Sequence, residues 1–175
     1  MKTYDRELEL GFEVSAAQAM KIITRENLAI LNQNIIHQTW LEEGEIGDYK
    51  FRTRIRKTEI AYPDAIISWA GKCEYTTKYS KNDEKAAAQD NMELNAEITP
   101  EEYEKLKKIY EAAGKEEVVK IRTYFRTPLN TLSIYTLDTY PNEEGDRARI
   151  EIEFKSKEEM YRWKAPAWLN ELVGK

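Results

Sequence analysis

The sequence predicts an α+β fold that is mainly β, with antiparallel strands and a few flanking helices. The first observation is the segment Phe51–Lys57, FRTRIRK, in which Arg52, Arg54 and Arg56 alternate with uncharged residues. Successive side chains of a strand point to opposite faces, so the three guanidinium groups share one face. Second, charged and less polar residues alternate in five other segments. Third, Thr99–Gly114 has the start and stop signals of a helix.

The composition is that of a globular protein, with 175 residues, 41% of them hydrophobic and 34% charged. This length predicts one domain spanning residues 1–175. The net charge of −5 argues against nucleic-acid binding through bulk positive charge. Cys73 is the only cysteine, which favours a reducing compartment. The chain contains no apolar leader and no run of 18 apolar residues, so we expect a soluble, cytoplasmic protein with no membrane partner.

The first predicted strand, Tyr4–Val14, has Leu8, Leu10 and Phe12 on its apolar face. Glu7 and Glu9 lie on the other face, and their spacing fits a solvated face better than a divalent-cation site. Ser15 is the expected N-cap of a helix that reaches about Thr24.

The arginine strand is the second half of a predicted hairpin. Asn27–Asn34 is ambiguous, Ile35–Leu41 is the first strand, and Glu42–Asp48, with two glycines, is the expected turn. His37 is the only histidine and has no cysteine at ligand spacing, so a structural role is favoured over metal binding.

Two more strands are predicted in the middle of the chain, Ser68–Ser80 and Met92–Ile98. Pro63-Asp64 predicts a turn before them, and Lys81–Asn91 fits either a loop or a short helix. The charged faces of these strands carry Glu74, Lys78, Glu93 and Glu97.

The helix over Thr99–Gly114 has Thr99 and Glu102 as a capping box, Pro100 in its first turn and Gly114 as its stop. Its expected buried stripe consists of Tyr103, Leu106, Ile109 and Tyr110.

Three further strands and one helix complete the prediction. The strands are Val118–Arg126, Leu132–Tyr140 and Arg149–Lys155, with a turn over Pro141–Gly145. Their charged positions are Lys120, Arg122, Arg126, Asp138, Glu151 and Glu153. A second capping box, Ser156 and Glu159, begins the last helix, whose end Trp163 and Trp168 are expected to pack onto the body.

These charged strand faces fit two architectures. In an open sheet covered by helices on its apolar side, the charges would face water. In a closed barrel of about eight strands, they would line a lumen with room for a small ligand. Such a lumen could hold a polyanion on Arg and Lys and a divalent metal on Glu and Asp. The segregation of positive and negative charge by strand favours the barrel slightly.

Seven segments, in order, resemble the CYTH family, the triphosphate tunnel metalloenzymes. They are ELELGF from Glu7, IIHQTWL, FRTRIRK, the TTK of Thr76–Lys78, KIRTYF, LD at Leu137–Asp138 and RIEIEF. The family includes inorganic and thiamine triphosphatases, class IV adenylate cyclases and fungal RNA triphosphatases. The resemblance implies an eight-stranded antiparallel closed barrel that forms a tunnel for a triphosphate, with Mg²⁺ or Mn²⁺ as cofactor.

The resemblance also implies roles for individual residues. The catalytic and metal-binding group would be Glu7, Glu9, Glu151 and Glu153, with Asp138 nearby. The triphosphate would bind Arg52, Arg54, Lys78, Lys120 and Arg122. Arg56, Glu93 and Glu97 are possible additional tunnel residues.

The chain departs from the family pattern at three positions. Gly11 replaces the lysine of the ExExK signature, while Asn91 and Asn95 stand where an arginine and a glutamate are expected. Gly11 either keeps ordinary strand dihedral angles, so that Gly11→Lys should gain triphosphate affinity, or forms a bulge at positive φ, so that any side chain would cost stability.

The function predicted first is metal-dependent hydrolysis of an inorganic, nucleoside or other organic triphosphate. The alternatives are a non-catalytic polyphosphate- or nucleotide-binding module and a class IV-type adenylate cyclase. The expected partner is a small triphosphate-containing molecule, and an RNA 5′-triphosphate end is the one nucleic-acid partner considered. A homodimer is left open.

Overall fold

A computed structural model describes residues 2–61, 72–81, 89–127 and 130–174. The strands are β1 Lys2–Ser15, β2 Ala29–Ile46, β3 Tyr49–Ala61, β4 Lys72–Lys81, β5 Gln89–Ile98, β6 Glu117–Thr127, β7 Asn130–Thr139 and β8 Arg147–Phe154. The helices are α1 Ala16–Arg25, α2 Pro100–Ala112, α3 Lys157–Arg162 and α4 Ala167–Leu172. None of the helices in these ranges is long and apolar enough to cross a membrane.

The eight strands form a closed antiparallel barrel in the order β1-β5-β4-β3-β2-β6-β7-β8. The barrel closes where β1 pairs with β8, in a register that places Gly11 opposite Glu151 and Glu9 opposite Glu153. The mainly β, α+β fold and its closed barrel are therefore confirmed, and the open sheet is excluded.

The apolar faces of the strands point outward and are covered by helices. One cluster packs α1 and α4 against β1, β6, β7 and β8, and includes Leu8, Ile22, Ile23, Phe125, Leu137, Ile150, Ile152, Trp168 and Leu169. A second packs α2 against β2, β3 and β4 through Leu41, Ile55, Cys73 and Tyr103. Because the hydrophobic residues cover the outside of the barrel wall, the alternating charged residues face its interior.

The predicted turn at Glu42–Asp48 is wrong in its extent, because β2 continues to Ile46. A bulge between Trp40 and Glu43 shifts the register and lets the strand go on pairing with β3. The amide of Glu42, which lies in the bulge, donates to Thr53 Oγ1 at 3.0 Å. Only Gly47 and Asp48 remain as the turn, with Gly47 at φ +57°, a value that favours glycine.

Two details of the predicted helices are also wrong. Ile109 is 62% exposed, because α2 buries only the side that faces the barrel. The last helix is divided into α3 and α4, since the chain is extended at Trp163 and at Pro166. The capped starts of α1 and α2, at Ser15 and Thr99, are confirmed. The predicted Pro63-Asp64 turn lies outside the described residues, as does most of Lys81–Asn91.

Candidate functional site

The barrel encloses a cavity of about 620 Å³ with a charged wall. Twelve of the thirteen residues predicted for the site line it, and the exception is Glu97. The twelve are Glu7, Glu9, Arg52, Arg54, Arg56, Lys78, Glu93, Lys120, Arg122, Asp138, Glu151 and Glu153. Glu97 is exposed and next to the last residue of β5, where the strand leaves the wall, so it does not reach the cavity.

The arginines of β3 have few acidic partners. Arg54 is 8% exposed and donates from Nη2 to Glu93 Oε1 at 3.1 Å, but its Nε has no hydrogen-bond partner among the described residues. The Nε of Arg56 likewise has none in the described part of the chain. Burial, and then the charges of Arg54 and Arg122, lower the pKa of Arg56 to about 10. β3 therefore presents N–H donors and positive charge to the cavity.

Trp40 supports two of these arginines. The guanidinium carbons of Arg52 and Arg54 lie 5.2 and 5.5 Å from the centre of the Trp40 ring. A cation over the face of an indole is attracted by the ring quadrupole, and the stacked guanidinium keeps its N–H groups at its edge. Trp40 thus holds two cations without occupying their hydrogen-bond donors.

The two basic residues that line the cavity from β6, Lys120 and Arg122, are, in contrast, paired with acids. Lys120 Nζ lies 2.6 Å from Asp138 Oδ2, while Arg122 donates to both Asp138 oxygens at 2.6 and 2.7 Å and to Glu151 at 2.9 Å. Burial alone would raise the pKa of Asp138, which is 1% exposed, but Arg122 and Lys120 outweigh it and hold the pKa at about 2. Burial and the charge of Arg122 lower the pKa of Lys120 to about 8. Because both oxygens of Asp138 accept from these two cations, its geometry fits holding them better than binding a metal.

Lys78 is the counter-ion of the acidic residues on β1 and β5. Its Nζ lies 3.1 Å from Glu7, 3.0 Å from Glu9 and 3.6 Å from Glu93. Burial would lower the pKa of Lys78, but the charges of Glu9, Glu7 and Glu93 raise it instead. Asn91, which stands where an arginine was expected, is 1% exposed and donates to Glu9 Oε1 at 3.0 Å. This neutral side chain therefore orients the carboxylate of Glu9.

Glu151 and Glu153 face the cavity from β8. Glu151 accepts from Arg122 and from Arg149 at 2.9 and 2.8 Å, and although burial opposes it, the charge of Arg122 lowers the pKa of Glu151. The side chain of Glu153 is exposed, although the cavity wall around it reduces its solvation. This partial desolvation, together with the negative charge of Glu9, raises the pKa of Glu153.

The donor set of the site suits a hard divalent cation, because Glu7, Glu9, Glu151 and Glu153 offer carboxylate oxygens. Within the described ranges, however, no three such side chains already converge on one point. Lys78 lies between Glu7 and Glu9, in the place where a cation would compete for both. The chemistry of the residues therefore fits a metal, provided that the ammonium group moves aside.

The residues of the cavity wall that the sequence prediction missed include Gln38, Trp40 and Arg149. Arg149 could have been found, since it precedes Glu151 and Glu153 with the same two-residue spacing and must share their face. The role of Trp40 depends on the β2–β3 register, which the sequence does not determine. His37 does not line the cavity; it contacts Glu117 at 3.3 Å, consistent with a structural role.

The closed eight-stranded barrel with a charged interior is the architecture that the resemblance to the CYTH family implies. No protein-family model and no curated protein matches the sequence. Solved structures do match. HpAC1 from Hippeastrum, studied as an adenylyl cyclase and found to have a dominant triphosphatase activity, shares the fold with a TM-score of 0.58 and 15% identity over 97% of this chain and 96% of that one.

Two other structures widen the comparison. PH1819 from Pyrococcus horikoshii OT3 matches with a TM-score of 0.53 and 20% identity over 87% of this chain and 82% of that one. A chain of the Schizosaccharomyces pombe Mediator head module matches with 0.54 and 8% identity over 97% and 90%. At these identities the likeness establishes the fold, and the function has to be argued from the site.

Proposed function

We propose that this protein hydrolyses a short triphosphate, either inorganic triphosphate or the triphosphate group of a nucleotide or other organic molecule, inside the barrel. The observation that carries the proposal is the row of arginines on β3, in which the buried Nε atoms of Arg54 and Arg56 lack partners among the described residues. A buried N–H without a partner costs free energy, and a phosphate oxygen would relieve that cost. Guanidinium groups also match phosphate oxygens in charge and geometry.

The basic and the acidic walls of the cavity would have different roles. Arg52, Arg54 and Arg56 would bind and align the phosphate chain, and Lys120 and Arg122, held by Asp138, would fix its position from β6. The acidic residues of β1 and β8 would lie at the opposite side of the phosphate chain. This separation of charge favours an anion that brings its own counter-cation.

Glu7, Glu9, Glu151 and Glu153 would hold one Mg²⁺ or Mn²⁺, which supplies charge neutralisation at the transferring phosphoryl group and acidifies water. The chain's own residues keep the phosphate chain straight, so that water attacks the terminal phosphorus in line with the bridging oxygen that leaves. The bond from that phosphorus to the bridging oxygen breaks as the new P–O bond forms. With tripolyphosphate the products are orthophosphate and diphosphate.

The test is a phosphate-release assay with tripolyphosphate, ATP, GTP and thiamine triphosphate, each with Mg²⁺ and with Mn²⁺. We expect release from at least one substrate, its loss on chelation and its loss in Glu153→Gln. Glu158→Gln, on the exposed side of α3, is the matched control and should retain the activity. Absence of phosphate release from every substrate would contradict the proposal.

A second candidate, a non-catalytic polyphosphate- or nucleotide-binding module, is favoured by the position of Lys78. Its ammonium group satisfies Glu7 and Glu9 without any metal, which suits a cavity that only binds. Calorimetric binding of tripolyphosphate with no phosphate release would support this function. Chromatography of the ATP reaction decides the cyclase alternative, because cyclic AMP would then accumulate in place of ADP.

A further inference from the structure

Gly11 lies on the inner face of β1 between Glu9 and Glu13, and its backbone is regular. The β1–β8 register runs without a shift from Leu8 to Ser15, and the φ of Gly11 is not positive. The bulge considered from the sequence is therefore excluded. What distinguishes this position is the group that fills the space beside it.

Arg149 occupies the volume that a side chain at position 11 would need. A Cβ built on Gly11 would lie 2.5 Å from Arg149 Cζ and 3.1 Å from its Nε, with Nη2 nearer still. Carbon atoms that are not bonded pack at about 3.5–4.0 Å. Arg149 pairs with Glu13 on β1, so it is the diagonal neighbour of Gly11, and its side chain reaches across to cover the glycine.

Two acids hold the guanidinium in this place. Arg149 Nε donates to Glu151 Oε1 at 2.8 Å, and Nη1 donates to Glu13 Oε1 at 3.1 Å. The remaining nitrogen, Nη2, is the one nearest to Gly11. The guanidinium belongs to the cavity wall and is about a quarter exposed, so a ligand in the cavity can reach it.

We propose that Arg149 supplies, from β8, the tunnel cation that the glycine at position 11 of β1 does not supply, and that it binds the triphosphate there. This inference rests on the proposed function for its ligand. Glycine at position 11 leaves this volume to the guanidinium, whereas any larger residue would have to displace the flexible end of the Arg149 side chain. Because Nε and Nη1 are held by Glu151 and Glu13, Nη2 is the nitrogen that would donate a charge-assisted hydrogen bond to a phosphate oxygen.

Tripolyphosphate binding, measured by calorimetry, tests the inference in five proteins: wild type, Arg149→Ala, Gly11→Ala, Gly11→Lys/Arg149→Ala and Gly11→Ala/Arg149→Ala. Arg149→Ala should weaken binding about tenfold, the effect of one lost charge-assisted contact. Gly11→Ala should weaken it by displacing Arg149, yet cause no further loss when Arg149 is already alanine. The lysine introduced with Arg149→Ala should recover most of the affinity, because the charge returns to the vacated volume.

Arg25→Ala is the matched control, since Arg25 pairs with Glu171 on the outside of the barrel and its loss should leave binding unchanged. Circular dichroism checks that each variant is folded. If Arg149→Ala does not fold, Arg149→Gln takes its place. Wild-type binding with unchanged affinity in Arg149→Ala, or no recovery by the lysine, would overturn the inference alone. No binding by the wild type would overturn the proposed function and this inference with it.

Discussion

The arginines of β3 and the basic residues of β6 face the same cavity but differ in their partners. On β6, Lys120 and Arg122 form short hydrogen bonds to the buried carboxylate of Asp138. On β3, Arg56 has an unpartnered Nε within the described residues, and a lowered pKa. The two β6 cations are therefore neutralised by a buried carboxylate, whereas on β3 Arg54 has Glu93 as its acidic partner and Arg56 keeps an unpartnered Nε that an anion could satisfy.

This difference distinguishes tunnel residues that stabilise the fold from tunnel residues that are available to bind a ligand. Removing one partner of a buried ion pair leaves an uncompensated charge and is strongly destabilising. Removing a buried cation that repels its neighbours carries no such cost. The two strands should thus respond oppositely to the same kind of mutation.

The largest effect is expected for Asp138→Asn. The substitution removes the acidic partner of Lys120 and leaves Arg122 with Glu151 alone, and we expect it to lower the free energy of unfolding by about 3–5 kcal/mol. Urea denaturation followed by circular dichroism measures the change. Glu158→Gln, which breaks an exposed pair with Arg162, is the control and should change stability by less than about 1 kcal/mol. Equal effects of the two substitutions would contradict a structural role for Asp138.

The dependence of the free energy of unfolding on pH, measured below pH 5, should show the titration of Asp138. The folded-state pKa of Asp138 is about 2 against an ordinary 3.8, so its contribution is fully present above about pH 4 and is lost as the pH falls towards 2. The shift corresponds to about 2 kcal/mol. The stability difference between wild type and Asp138→Asn should therefore shrink over this window. A difference that stays constant from pH 5 to pH 2 would argue against the assignment.

The smallest effect on stability is expected on β3. Arg56→Met removes a cation that is repelled by Arg54 and Arg122, so the melting temperature without ligand should stay the same or rise. Arg122→Met should lower it, because Asp138 and Glu151 each lose one of their two cationic partners. Differential scanning fluorimetry compares the two variants. A similar fall in both would mean that β3 and β6 do not differ as described.

The strands and their charged faces could be predicted because each depends on a local, two-residue alternation. FRTRIRK and RIEIEF contain that alternation in full, and the structure places both on the barrel wall. Closure of the sheet could not be predicted from spacing alone, because the same alternation serves an open sheet. That expectation came from the resemblance to the CYTH family.

The side-chain contacts between strands could not be predicted from the sequence, for a different reason. The bulge at Glu42 depends on the hydroxyl of Thr53, and the space over Gly11 depends on a guanidinium from β8. Both are set by register between segments far apart in the chain. For that reason the sequence showed that position 11 lacks the signature lysine, but not that a guanidinium from β8 lies beside it. The position of Arg149, two residues before Glu151, predicted only that its side chain faces the cavity.

The most direct test of the account is calorimetric titration of tripolyphosphate into wild type and Arg56→Met, with Arg25→Ala as control. The central claim is that the β3 arginines are available for an anion, so Arg56→Met should bind about tenfold more weakly while remaining at least as stable as wild type. Arg25→Ala should bind as wild type does. Equal affinity in wild type and Arg56→Met, or no binding by the wild type, would contradict the claim.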